Sequence, residues 1–112
     1  MSANYHVVRF EGILDISRYP EFRKIFEELP LATPVLVDLT AIEAADSIFL
    51  SEMMLARRRQ TAPFAILIAP LGRIARVFGI TGLDRREYVF SDLTEAVASL
   101  NLDPETKDPA PD

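Results

Sequence analysis

The chain has 112 residues, of which 49% are hydrophobic, and it contains no cysteine. This length fits one domain with a real core, and the absence of thiols excludes disulfides, thiolate zinc sites and cysteine nucleophiles. Seventeen acidic and twelve basic residues give a net charge of −5, which disfavours nucleic acid as a partner because phosphate backbones are repelled. We see no secretory signal and no apolar run near the roughly 20 residues of a membrane helix. We therefore expect a cytoplasmic protein without direct membrane insertion.

The first 30 residues predict two short strands and a helix. Residues 5–10 are rich in strand-forming side chains, residues 11–12 break the pattern, and residues 13–14 predict a second strand. Two strands joined so closely are expected to pair antiparallel. Asp15 and Ser17 are suitable helix-start residues. The helix that follows has an apolar face with spacings of three and four, formed by Tyr19, Phe22, Ile25, Phe26 and Leu29.

From residue 34 onward, predicted strands and helices alternate. Residues 34–39 and 64–69 are nearly continuous apolar runs, typical of buried strands, and a loop of small residues follows the first. Asp46 and Asp92 are good N-caps for helices over about 47–60 and 93–100. A helix at 71–79 precedes a last short strand at 88–90.

This alternation predicts an α/β fold, because parallel strands need helical crossovers. We expect a mixed, mostly parallel β-sheet of four to five strands with about four helices in a single domain over residues 1–100. Residues 101–112 contain three prolines and few apolar side chains. They are predicted to be a flexible, acidic, proline-containing tail.

Three short segments carry a family resemblance. Residues 12–15 read G-I-L-D, residues 35–39 and 46–50 read V-L-V-D-L and D-S-I-F-L, and residues 77–83 read V-F-G-I-T-G-L. In this order and spacing they resemble the STAS family of anti-sigma-factor antagonists, with its G-x-L-D, D-S-S-G-L and T-G-L elements. The resemblance covers about residues 5–100 and implies a STAS-like fold. In this resemblance Ser47 corresponds to the serine that is phosphorylated in the family. Ile48 and Phe49 replace the small residues that usually follow it.

Ser47 is the candidate phosphorylation site. Composition alone explains it as a helix-start residue, since serine is favoured there for its side-chain hydrogen bond. The resemblance adds a second interpretation, in which Ser47 is a switch. A phosphate brings a charge of about −1.5 to −2 to the positive end of a helix dipole, where the fold would tolerate it. The bulky Phe49 is expected to obstruct the approach of a kinase to the hydroxyl.

The helix beginning at Ser47 predicts a docking surface. At about 100° per residue, its core side is expected to hold Phe49, Leu50, Met53, Met54 and Ala56. Ile48 and Leu55 are then exposed apolar residues one heptad apart. Scattered exposed apolar residues are ordinary, but the resemblance implies that partners dock beside Ser47. The candidate partner-binding residues are Asp15, Asp46, Ser47, Ile48, Ser51, Glu52, Leu55, Arg58 and Arg59; Asp15 and Asp46 are also explained as helix caps.

No catalytic role is expected, because a nucleophile, a base and an oxyanion donor cannot be assembled from this chain. No metal-binding or cofactor-binding residues are predicted, and the single histidine, His6, is interpreted as structural. The resemblance implies a protein-binding regulator. It would bind an anti-sigma factor that is a histidine-kinase-like serine kinase, and phosphorylation of Ser47 would switch binding off. An alternative is a STAS-type accessory subunit of a lipid-transport ABC complex. Either role is compatible with a homo-oligomer.

Overall fold

The computed structural model describes residues 5–101. These residues form strands and helices in alternation: β1 His6–Leu14, α1 Tyr19–Glu27, β2 Val35–Ala45, α2 Ser47–Arg59, β3 Phe64–Leu67, α3 Arg73–Thr81, β4 Val89–Phe90 and α4 Leu93–Leu100. Short 3-10 turns, Ile16–Arg18 and Leu83–Arg85, precede α1 and β4. The predicted α/β fold is confirmed. Apart from Asn101, the predicted tail lies outside the described residues. No helix within residues 5–101 has both the length and the apolar character needed to cross a bilayer.

The four strands form one sheet whose spatial order, β1-β2-β3-β4, is the same as their order in the chain. When crossovers of a single hand extend a sheet in one direction, their helices all lie on the same face. The buried residues of α1, α2 and α3 accordingly belong to one core on one face of the sheet. On the opposite face, Ala96 and Leu100 of α4 pack against Leu36, Ala65 and Leu67. The domain therefore has three layers, with α4 alone forming the third.

The N-terminal hairpin predicted from the sequence is wrong. Residues 6–14 form a single strand that pairs parallel with β2, from His6 beside Val35 to Leu14 beside Ala45. Gly12 continues the strand with a φ of +77°, a conformation that glycine adopts without steric cost. Residues 40–45, expected as a loop, extend β2. Because β2 uses eleven residues to match nine of β1, the register shifts twice. Over the described residues the sheet is parallel throughout and not mixed.

Four phenylalanines fill the core between the sheet and the first two helices. Phe49 of α2 lies at the centre, with ring centroids 5.0 Å from Phe10, 5.2 Å from Phe22 and 5.6 Å from Phe26. Edge-to-face and tilted aromatic pairs at such distances each stabilise by about 0.5–1.5 kcal/mol beyond the area they bury. This cluster holds α1 and α2 against β1. Because Phe49 lies near the start of α2, the cluster also fixes the position of that helix start.

Candidate functional site

The residues that follow β1 and β2 meet at one edge of the sheet, because the carboxyl ends of parallel strands lie side by side. Leu14 pairs with Ala45 at the ends of the two strands. The amide of Asp46 donates to the carbonyl of Leu14 at 3.1 Å. The structure therefore brings two of the predicted site residues, Asp15 and Asp46, to the same edge, with Ser47 immediately after the second.

Asp46 fixes the start of α2. Its Oδ1 accepts hydrogen bonds from the amides of Ile48 and Phe49 at 3.2 and 3.4 Å, which satisfies two of the amides that a helix leaves unpaired at its start. Ser47 is the first helical residue and is exposed. Because Asp46 performs the capping, Ser47 is not needed for it. Within residues 5–101 the Ser47 hydroxyl makes no hydrogen bond to another protein group.

The two bulky residues after Ser47 point inward. Phe49 has no exposed surface and lies within the phenylalanine cluster. Ile48 is half-buried and packs against the same core. The expectation that Phe49 obstructs a kinase is therefore wrong, and so is the expectation that Ile48 is exposed. In this chain the side chains that replace the small family residues are part of the core and leave the Ser47 hydroxyl accessible.

One exposed row runs along α2 from Ser47 to Arg58. Leu55, in the middle of the row, is 44% exposed. This row borders a groove of about 470 Å³ between α2 and the end of α3. The groove is lined by Ser47, Leu50, Ser51, Met54, Leu55, Arg58, Thr81 and Leu83.

The remaining candidates on α2 face α1 and have structural partners there. The hydroxyl of Tyr19 donates to Glu52 at 3.3 Å, and the guanidinium of Arg59 donates to the carbonyl of Phe26 at 3.3 Å. Together with Ile48, they tie α2 to α1 and to the core. The predicted partner-binding set is thus divided, with Ser47, Ser51, Leu55 and Arg58 on the groove and Ile48, Glu52 and Arg59 away from it.

Sequence analysis missed four of the groove residues. Leu50 and Met54, assigned to the core side of the helix, are half-buried and reach the groove. Thr81 and Leu83 come from the T-G-L turn, where Gly82 ends α3 with a φ of +80°. That motif was the available signal, since a left-handed glycine after a helix reverses the chain and here directs Leu83 back towards α2.

Asp15 is held by its own turn. Its Oδ1 accepts from the hydroxyl and the amide of Ser17. These two hydrogen bonds hold the pKa of the Asp15 carboxyl below its usual value, and the bond from the hydroxyl has the larger effect. Arg18 secures the same turn by donating to the carbonyls of Glu11 and Ile13 at 2.6 and 3.3 Å. Asp15 therefore presents a fixed negative charge at the edge near Ser47.

The site offers a protein surface with few reactive groups. It combines exposed hydroxyls, apolar side chains, one arginine and two carboxylates that are engaged in capping. Among residues 5–101, no three histidine, aspartate or glutamate side chains are grouped as a metal site requires. This arrangement is suited to docking a complementary surface.

The fold occurs in a solved structure of an anti-sigma factor antagonist from Mycobacterium paratuberculosis. The two chains superpose with a TM-score of 0.70 and 21% sequence identity, covering 84% of this chain and 83% of that one. Comparison with protein-family profiles gives no match. Comparison with curated protein sequences gives none either. This chain therefore has the fold of an anti-sigma factor antagonist, and the STAS-like fold implied by the sequence resemblance is confirmed.

Proposed function

We propose that this chain is a cytoplasmic, non-catalytic regulator that binds an anti-sigma factor through the exposed row of α2. The row consists of Ser47, Ser51, Leu55 and Arg58. In this proposal the partner phosphorylates Ser47, and the phosphate releases the complex. The observation that carries the proposal is the exposed Ser47 hydroxyl, freed from capping by Asp46 and placed at the end of the groove. The fold shared with an anti-sigma factor antagonist supports the class of partner.

A phosphate on Ser47 would act mainly on the partner. The amides of Ile48 and Phe49 are already occupied by the Asp46 carboxylate, so the phosphate gains little from them. The helix dipole attracts it, while the nearby carboxylates of Asp15 and Asp46 repel it. These opposing effects leave the fold nearly unchanged. A charge buried without a counterpart at an interface costs several kcal/mol, which is a loss of about two or more decades in affinity at roughly 1.4 kcal/mol per decade.

Calorimetric titration of purified anti-sigma factors from the same organism tests the proposal. We expect Ser47→Ala to bind like the unmodified chain and to take up no phosphate from ATP. We expect Ser47→Asp and Leu55→Glu each to lose at least about a hundredfold in affinity while circular dichroism shows both folded. The matched control is Leu93→Glu, because Leu93 is 56% exposed and belongs to α4 on the opposite face of the sheet.

Each outcome has a distinct meaning. If Ser47→Asp and Leu55→Glu both bind normally, the docking surface is not the exposed row. If only Leu55→Glu loses binding, the surface stands and the phosphorylation switch is rejected. If Leu93→Glu loses binding as well, added charge in general weakens the complex and the assignment to α2 fails.

In the ABC-transporter alternative the serine need not be phosphorylated, so two bulky residues that block Ser47 would favour that role. With Phe49 buried and Ile48 packed on the core, these residues leave the hydroxyl accessible and no longer favour it. Gene neighbourhood separates the two roles, because sigma-factor or kinase genes beside this one support the proposal and transporter genes contradict it.

A further inference from the structure

Positive charge is concentrated in one part of this acidic chain. Residues 57–88 contain seven arginines and only two acids, Asp84 and Glu87, whereas the rest of the chain contains five basic and fifteen acidic residues. This stretch includes the last turn of α2, all of α3 and the 3-10 turn before β4. A local excess of one charge in a chain of opposite net charge creates a field that attracts acidic groups.

Three of these arginines line a groove in two adjoining parts at the end of α2. One part, of about 590 Å³, is lined by Arg57, Arg58 and Tyr88, and an adjoining part of about 410 Å³ shares these residues and adds Arg86. We name these two parts together the arginine groove. Its acidic lining residue is Glu87. The ion pairs that the structure shows within residues 5–101 include none of the three arginines.

Arg57 and Tyr88 give the groove a fixed wall. The guanidinium of Arg57 lies 3.8 Å from the centroid of the Tyr88 ring, a distance typical of a cation–π contact. The Tyr88 hydroxyl lies 3.7 Å from the sulfur of Met54. Arg58 and Arg86 are exposed and are available to pair with an incoming carboxylate.

The acidic C-terminal segment begins beside this groove. Ser99, in the last turn of α4, lines it, and residues 102–112 begin three positions later. They carry Asp103, Glu105, Asp108 and Asp112 against the single Lys107. Eleven residues reach roughly 36 Å when extended, whereas a thirteen-residue helix such as α2 is only about 20 Å long. The extended segment is therefore longer than the helix whose last turn lines the groove.

We propose that residues 102–112 dock on the arginine groove of their own chain. Tethering supplies an effective concentration in the millimolar range, and the three prolines of this segment reduce the conformational freedom that docking removes. Exposed ion pairs are individually weak and are screened by salt, so the docked and free forms exchange. The inference shares Arg58 with the exposed row of the proposed function, but its test requires neither Ser47 nor an anti-sigma factor, so either proposal can fail while the other stands.

A single spin label tests the docking directly. The chain has no cysteine, so Ala110→Cys places a nitroxide between the acids of the segment. We expect low-salt NMR spectra to show stronger broadening at the amides of Arg58 and Tyr88 than at Val7 on β1. We expect the broadening to disappear at 1 M salt, where the Debye length is about 3 Å. Equal broadening at the three amides, or none, overturns the proposal.

Paired variants separate the groove from charge in general. Arg58→Gln with Arg86→Gln removes two exposed positive charges from the groove and should abolish the broadening. The control, Arg73→Gln with Arg76→Gln, removes two exposed positive charges from α3 outside the groove and should leave it in place. Equal loss in both pairs contradicts a specific docking site. A further control mixes the spin-labelled chain with an isotope-labelled chain that carries no nitroxide. If the isotope-labelled chain shows the broadening, a second copy occupies the groove and the proposal is overturned.

Discussion

At the scale of single residues, the contribution of Phe49 to the stability of the fold can be tested by one truncation. Its ring is fully buried among Phe10, Phe22 and Phe26. Phe49→Ala leaves a cavity at the centre of that cluster, and such truncations cost about 3–5 kcal/mol. We expect urea unfolding to show a loss of stability in this range.

The matched control for Phe49→Ala is Leu71→Ala, because Leu71 is 85% exposed. Exposed substitutions of this kind change stability by no more than about 0.5 kcal/mol. A similar small change for Phe49→Ala would show that the ring is not at the centre of the core. For the same reason we expect a small residue at position 49 to destabilise this chain, because the core depends on the Phe49 ring.

At the scale of elements, the parts predicted correctly depend on local signals. Asp46 and Asp92 cap α2 and α4 as expected, because a cap is decided by residues two and three positions away. The apolar face of α1 was also predicted, with Phe22 and Phe26 buried. Both features can be read from a short window of sequence.

The errors arise where distant residues decide the outcome. Gly12 marks the end of a strand by its own propensity, yet β1 continues because β2 pairs with it as far as Leu14. In the same way, Phe49 was placed on the core side of α2 and still expected to obstruct Ser47. The burial of its ring depends on contacts with Phe10 and Phe26, which belong to other elements.

β1 is an edge strand that carries charge in the middle of its outer face. Among residues 5–101, β2 is its sole neighbour in the sheet. Val7 and Ile13 are 51% and 50% exposed, and between them Arg9 pairs with Glu11 at 3.6 Å. Charged side chains on an edge strand disfavour pairing with another copy. We expect Arg9→Val with Glu11→Val to produce a continuous apolar strip and concentration-dependent self-association, measured by light scattering.

The control for this double exchange is another exposed ion pair. Arg23 and Glu27 pair at 2.9 Å on α1, and their replacement by valine removes the same charges from a helix that has no open backbone edge. This control should remain as dispersed as the unmodified chain. If both double variants self-associate equally, lost charge in general is responsible and the edge of β1 has no special role.

At the scale of the whole molecule, the strand order determines how the fold can be built. Each new strand joins the outside of the sheet beside its predecessor in the chain, so no strand has to enter between two that are already paired. Pairing segments that are near in sequence costs less loop-closure entropy. We expect pulsed hydrogen exchange during refolding to protect amides at the β1–β2 pairing no later than those of β4. Later protection of β1 and β2 would contradict this order.

The same order has a consequence for synthesis on the ribosome, where the N-terminal part of a chain emerges first. The β1, α1 and β2 segments can pair before β3 and β4 have been made, and every later strand finds a completed edge to join. The last helix, α4, then closes the second face over Leu36, Ala65 and Leu67. Until it arrives, those three side chains remain open to water, so the nascent domain is most exposed to misassociation just before its final segment leaves the exit tunnel.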